Sequence, residues 1–267
     1  MDQIADFELI RQLGGGSQGV YYLATSPPRL GTGSEYVAVK VLVAPTTETG
    51  LRRISRELRA FASAQSPRLV RLLDAGQDGD RFYYAMEYFP GGSLAAPAQV
   101  LSRAESLRAV AEAALAAHAL HEVGLVHRDI KPANILLGED GARLSDLGLA
   151  QLLAPGQTVT AMGPVGSVEY TDPAILRGER GSRATDIWSL GATLHRAVSG
   201  EGIYGDLPTD DPLLSVRKVL TAPPVLSERL TSEERRVVAA CLESDAGRRP
   251  LTAAELAGRI QDLVPSA

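Results

Sequence analysis

Apolar positions in the first ninety residues fall in short runs rich in β-branched and aromatic side chains. FELIRQLGG (7–15), GVYYLATS (19–26), EYVAVKVLV (35–43), LVRLLDAGQ (69–77) and RFYYAMEYF (81–89) are each bounded by Gly, Pro, Ser or Asp. That pattern predicts five strands. PPRLGTGSE (27–35) reads as a turn-rich connection. LRRISRELRAFASA (51–64) instead sets Leu51, Ile54, Leu58 and Phe61 at helical spacing, with charge on the opposite side. After PGGS (90–93) the chain turns alanine-rich, and helical periods are predicted over 103–122, 183–199, 213–220, 232–242 and 253–263. The expected architecture is α+β and bilobal, a small β-rich lobe over 1–89 joined to a larger, mainly α-helical lobe over 90–267. At 267 residues the chain is long enough to give both lobes a core. No internal repeat or low-complexity tract interrupts it.

Composition narrows the function classes. Apolar residues make up 45% and charged residues 22%, ordinary for a globular protein, and the net charge of −5 argues against a nucleic-acid partner. Cys241 is the only cysteine, so no disulfide can form within the chain and no cysteine zinc cluster exists. The most apolar stretch, AVAEAALAAHALHEVGLV (109–126), is broken by Glu112, His118, His121 and Glu122. A spanning helix needs about 20 mostly uncharged apolar residues. The N-terminal MDQIADFELI carries acids and lacks the basic start of a signal peptide. The expectation is a cytoplasmic chain without membrane contact of its own, with a longer, membrane-anchored parent protein left open.

Chemistry concentrates in LVHRDIKPANILL (125–137), where His127, Arg128, Asp129, Lys131 and Asn134 lie between runs destined for a core. Burying unpaired charge costs several kcal/mol, so each of these groups needs a partner in the protein or in a ligand. Upstream, LGGGSQGVYYLA fits G-x-G-x-x-G at Gly14, Gly16 and Gly19. A dinucleotide-binding unit would continue into a helix, whereas VYYLATS continues as a strand. The glycines then either serve a turn alone or bring backbone N–H groups against phosphate oxygens. Lys40 ends VAVK, on the face shared with Ala38 and opposite Val37, Val39 and Val41. It is a solvated strand end, or, where that face looks into a cleft, an ammonium that needs anions. Glu57 and a bound phosphate are the candidates.

Taken together, GGGSQG, VAVK, Glu57, HRDIKPAN and SDLGLA resemble the protein kinase family in order and spacing, from Phe7 to about Leu263. DIKPANILL and DIWSLGATLH are similar to the bacterial eukaryotic-like (Hanks-type) serine/threonine kinases. The resemblance implies a bilobal kinase fold that uses ATP and Mg²⁺, with Mn²⁺ as a substitute, to phosphorylate Ser/Thr hydroxyls of protein substrates in signalling. Asp129 would be the catalytic base, Lys131 would neutralise the transferred phosphoryl group, and Asn134 and Asp146 would hold the metal. Lys40, paired with Glu57, would meet the phosphates under Gly14, Gly16 and Gly19. Adenine would lie between Leu13, Ala38 and Leu136, below Tyr21, with the backbone of Glu87 and Phe89 on its edge and Met86 behind it. His127 and Asp186 would be structural, Asp186 accepting backbone N–H groups of the catalytic loop. Thr158 and Thr160 would be autophosphorylation sites in an activation segment over 146–174, with Arg128 as partner of the phosphate. Bacterial relatives also pair through the small lobe, which implies a homodimer option there.

Several positions depart from the family pattern. Tyr21 stands where valine is usual, Leu147 where phenylalanine is usual, and Ser167 where threonine is usual. TDPA (171–174) places Ala174 where the family has a glutamate that pairs with a buried arginine, here Arg249. The expectation is that Arg249 turns to Asp172, Glu169 or solvent, and that residues 165–176 are less rigid than in relatives. A pseudokinase or ATP-binding module without turnover is the alternative reading, and phosphorylation of a small molecule is a third.

Overall fold

The computed structural model describes residues 3–16, 19–42, 48–146, 165–208 and 211–265. Six strands form one antiparallel sheet: β1 (Gln3–Ile4), β2 (Phe7–Gly16), β3 (Gly19–Thr25), β4 (Tyr36–Val41), β5 (Leu72–Asp78) and β6 (Arg81–Glu87), in the order β1-β2-β3-β4-β6-β5. Its two faces follow from the period-2 alternation of the strands. Val37, Val39 and Val41 join Phe7, Ala24, Tyr83 and Ala85 in a core on one face. Ala38, Tyr84 and Met86 turn to the other face, where they meet Ile54, Leu58 and Phe61 of α1 (Glu48–Ser63). Each fully buried valine, isoleucine, leucine, phenylalanine or methionine among them contributes about 1.5–3 kcal/mol.

The second half is helical. Helix α2 (Arg103–Glu122) starts in a capping box, Ser102 accepting from the Glu105 N–H while the Glu105 carboxylate accepts from the Ser102 N–H. Its alanines are buried on several sides, and their small volume lets α4 (Arg183–Ser199), α7 (Ala253–Gln261) and the strand β10 (Gly141–Leu144) all approach it. Capping boxes also open α4, at Ser182 and Thr185, and α6 (Ser232–Cys241), at Thr231 and Glu234. Each cap contributes about 1 kcal/mol. Asp211 caps α5 (Pro212–Thr221), and Asp172 caps the one-turn helix α3 (Pro173–Leu176). Cys241 is fully buried, and burial pushes its thiol up to about 12, so it is a packing residue and not a nucleophile. Among the described residues, no helix is long and apolar enough to cross a membrane.

A smaller sheet adds what the periodicity does not predict. Strands β7 (Gly92–Ser93), β8 (Ala96–Pro97), β9 (Ile135–Gly138) and β10 are ordered β10-β9-β7-β8. They are two to four residues long, too short to carry an alternation. The Leu144 N–H donates to the carbonyl of Arg68 at 2.8 Å, and the Val70 N–H donates to the carbonyl of Leu144 at 3.1 Å. These bonds join β10 to the segment between α1 and β5, and so bring Asp146, two residues past β10, beside the large sheet.

Candidate active site

A cleft of about 680 Å³ separates the two halves. From the small lobe it is lined by Leu13, Gly14, Gly19, Tyr21, Ala38 and Lys40, and at the connection between the halves by Met86, Glu87 and Phe89. Asp129, Lys131, Asn134, Leu136 and Asp146 line it from the other side. The expected site residues therefore converge, with two differences in the described residues. Glu57 is half-buried on α1 and is not among the lining residues, and Gly16 is placed only as the strand partner of Gly19 at the end of the β2–β3 hairpin. Gly19 has φ +153°, and a Cβ there would sit 2.5 Å from the Val41 carbonyl oxygen. Only glycine lets the hairpin lie this close to β4.

The floor of the cleft is a loop held from beneath. Asp186, fully buried on α4, accepts from the backbone N–H of His127 at 2.8 Å and of Arg128 at 2.9 Å, while His121 Nε2 lies 2.8 Å from its Oδ2. This anchoring holds Arg128 at φ +70°, a left-handed conformation that side chains other than glycine seldom adopt. His127 is fully buried; its Nε2 faces the Ser145 carbonyl at 2.9 Å and its Nδ1 accepts from the Asp129 N–H at 3.3 Å. These partners make it a neutral ring with the proton on Nε2, and burial pushes its pKa down.

Above that floor, Lys131 Nζ donates to both carboxylate oxygens of Asp129 at 2.8 and 2.9 Å. Asn134 Nδ2 donates to the Asp129 carbonyl at 2.7 Å and to its Oδ2 at 3.0 Å. Asp129 is thus fixed in orientation by a cation and an amide, both of which face the cleft with it. The donor types that Asn134 and Asp146 offer, one amide oxygen and one carboxylate, are hard oxygens that fit Mg²⁺. Among the described residues, no group of three or more His, Cys, Asp or Glu has the geometry of a metal site. A Mg²⁺ ion that takes its remaining ligands from phosphates and water requires none.

Lys40 is where the arrangement differs most from expectation. Its ammonium is 3.1 Å from Asp146 Oδ1, with side-chain exposures of 5% and 9%. The expected pairing with Glu57 is thus replaced, among the described residues, by a pairing with Asp146. The physical reason lies in the other donors to that carboxylate. Tyr84 donates its hydroxyl to Asp146 Oδ1 at 2.5 Å, and Tyr21 donates to Oδ2. Asp146 reaches this nest of donors with φ +58°. Burial alone would raise its pKa, but the Lys40 charge and the two phenols outweigh that and hold it below the usual carboxylate range. Burial and the adjoining Asp146 charge push both phenols well above their ordinary value, so they remain donors. Tyr21 lines the cleft as expected of a residue near the nucleotide, donates its hydroxyl to Asp146 and lays its ring 4.6 Å from Lys40 Nζ. Sequence reading missed Tyr84 altogether. Alternation places it on the face of Met86, but its place beside Lys40 depends on the register of β4 and β6, and a tyrosine in RFYYAMEYF reads as core.

Arg249 Nη1 meets the buried carboxylate of Asp172 at 2.5 Å, and its guanidinium lies 5.0 Å from the centroid of the Trp188 ring. Glu169 is taken by Arg196 at 2.7 Å. Asp172 therefore supplies the anion that Ala174 cannot. Thr158, Thr160 and Leu147 lie outside the described residues, as does the side chain of Ser167.

Residues 7–258 match the family model of the protein kinase domain. The serine/threonine-protein kinase PknJ of Mycobacterium tuberculosis is 31% identical over 95% of this chain, which covers 44% of that protein. The probable serine/threonine-protein kinase PkwA of Thermomonospora curvata is 31% identical over 96% of the chain and 34% of its own length. The serine/threonine-protein kinase pkn2 of Myxococcus xanthus is 32% identical over 94% and 31%. The chain thus spans less than half the length of these relatives. With a bilobal fold and a family match over nearly its whole length, the chain belongs to the protein kinase family, among the Hanks-type kinases of bacteria.

Proposed function

We propose that this chain transfers the γ-phosphoryl group of ATP to serine or threonine hydroxyls of proteins, with Mg²⁺ as the metal. The observation that carries the reading is the fixed group of Asp129, Lys131 and Asn134 facing Lys40 and Asp146 across one cleft. Leu13, Ala38 and Leu136 offer apolar walls to the base, and the backbone of Glu87 and Phe89 offers its edge partners. Asp129 orients the substrate hydroxyl and takes its proton as the oxygen–phosphorus bond forms and the bond to the bridging oxygen of ADP breaks. Lys131 meets the charge on the moving phosphoryl group, and Lys40 meets the phosphates that stay behind. Asn134 and Asp146 would hold the Mg²⁺, which would supply neutralisation of phosphate charge. Because positioning and electrostatics make up most of such catalysis, the hydrogen bonds that fix Asp129 matter as much as its basicity.

Protein rather than small-molecule hydroxyls are the substrate class favoured by Lys131, two residues after Asp129. Transfer to the chain's own Thr158 and Thr160, with Arg128 receiving the phosphate, belongs to the same reading, as does a cytoplasmic setting where ATP is available. A nucleotide-binding module without turnover is the second reading, favoured by one observation: Lys40 is engaged by Asp146 and not by Glu57. Incubation with γ-labelled ATP, a mixture of candidate proteins and Mg²⁺, followed by phosphoamino-acid analysis, separates them. Label on serine or threonine that is lost with Asp129→Asn supports transfer. Nucleotide binding without label on protein supports the second reading.

A further inference from the structure

Tyr21, Lys40 and Tyr84 form one row across three adjacent strands. In the pairing of β3 with β4, Tyr21 lies opposite Lys40, and in the pairing of β4 with β6, Lys40 lies opposite Tyr84. Residues directly opposite one another in an antiparallel sheet project from the same face, so the row presents a phenol, an ammonium and a second phenol to the cleft. All three end on Asp146: Lys40 and Tyr84 on Oδ1, Tyr21 on Oδ2. An ionised carboxylate has about four acceptor sites, and donors among the described residues take three of them. The ammonium is enclosed as well, with the Tyr21 ring 4.6 Å and the Tyr84 ring 5.8 Å from its nitrogen. In this state the groups that would receive a metal and a phosphate are occupied by one another.

We propose that Tyr21 and Tyr84 form a clamp that holds Asp146 on the sheet in the nucleotide-free protein, so that a divalent cation and its nucleotide bind only by displacing the two phenols. The inference rests on the reading of Asp146 as a metal ligand. A cation at either carboxylate oxygen meets a phenol hydrogen already aimed at that oxygen. Phosphate oxygens approaching Lys40 meet the Tyr21 ring lying against its ammonium. The clamped state therefore lowers the apparent affinity by the fraction of molecules not yet released. The two phenols act through Asp146 and Lys40 and are positioning residues.

Tyr21→Phe and Tyr84→Phe keep the rings and remove one hydroxyl each. Binding is read with Mn²⁺ and ADP, from the electron paramagnetic resonance of free Mn²⁺, and the stability of the nucleotide-free protein from its thermal unfolding. Each variant is expected to bind Mn²⁺·ADP about tenfold more tightly, the factor for one hydrogen bond to a charged acceptor, while melting lower without nucleotide. A merely structural phenol would lower the melting point without tightening binding. Unchanged or weakened Mn²⁺·ADP binding in both variants overturns the clamp. Asp146→Asn is the control: if it binds Mn²⁺·ADP as wild type does, or if wild type binds none, the metal-ligand reading fails, and the clamp with it. If Asp146→Asn weakens binding and the phenylalanine variants do not tighten it, the clamp alone fails.

Discussion

The ammonium of Lys40 and the carboxylate of Asp146 are both nearly sealed from water, and a buried pair behaves differently from a surface one. Its net contribution is small because desolvation offsets attraction, but removing one member strands the other. Lys40→Met should therefore do more than abolish transfer. It should destabilise the nucleotide-free protein by about 3–5 kcal/mol, and adding Asp146→Asn should recover part of that loss, as urea unfolding would measure. A Lys40→Met variant as stable as wild type would show that the pair is not formed in solution. His127 and His195 make a second residue-scale prediction. His195 Nε2 accepts from the Ser227 N–H at 2.9 Å and its Nδ1 faces the Glu201 carbonyl, so it too is a neutral ring. Burial lowers both pKa values from 6.5. In that window the unfolded chain binds protons that the folded one does not, so stability is complete above about pH 6.5 and falls as pH drops below it. Unfolding free energies should be lower at pH 5.5 than at pH 7.5; equal values would contradict the neutral assignment.

Helix α3 is one turn long and starts at Asp172, whose carboxylate both accepts from the Ala174 N–H and pairs with Arg249. Arg249 in turn donates to the carbonyls of Ala184 and Glu243, so one side chain ties α3 to the start of α4 and to the loop after α6. Asp172→Ala should cost about 3–5 kcal/mol and raise amide exchange over 173–176. Arg249→Met should cost less when added to Asp172→Ala than alone, because the orphaned charge goes with it. Additive costs would mean the pair carries no coupling. That Arg249 would need a partner other than position 174 was legible from the mismatch at Ala174, because an unpaired buried guanidinium is costly; the choice of Asp172 over Glu169 or solvent was not, since Arg196 takes Glu169. The longer helices were legible too: 103–122 and 183–199 stand at Arg103–Glu122 and Arg183–Ser199, and the last three differ by one or two residues at their ends. The β7–β10 sheet was not, since strands such as Gly92–Ser93 are too short to show an alternation and pair with Ala96–Pro97 and with Leu136 of the distant β9.

Across the whole molecule, two halves with separate patterns meet at a few backbone bonds, those of Leu144 with Arg68 and Val70, and these set where Asp146 enters the cleft. Which residues converge was readable from motif order, because glycine hairpin, lysine, catalytic loop and acidic turn each carry chemistry that burial would otherwise forbid. What each touches was not. The partner of Lys40 depends on the relative placement of α1, β10 and the sheet, a tertiary outcome that no local spacing encodes, and the second phenol of the row becomes visible only with the strand register. In the proposed function, phosphoryl transfer is centred on Asp129, held by Lys131 and Asn134. Its most direct test is single-turnover transfer of labelled γ-phosphate to a protein substrate, with Mn²⁺·ADP affinity measured in parallel, for wild type and Asp129→Asn. The variant should bind nucleotide as wild type does and transfer about 10²–10⁴ times more slowly. Equal transfer rates in the two proteins, or tight nucleotide binding by wild type with no transfer at all, would contradict it.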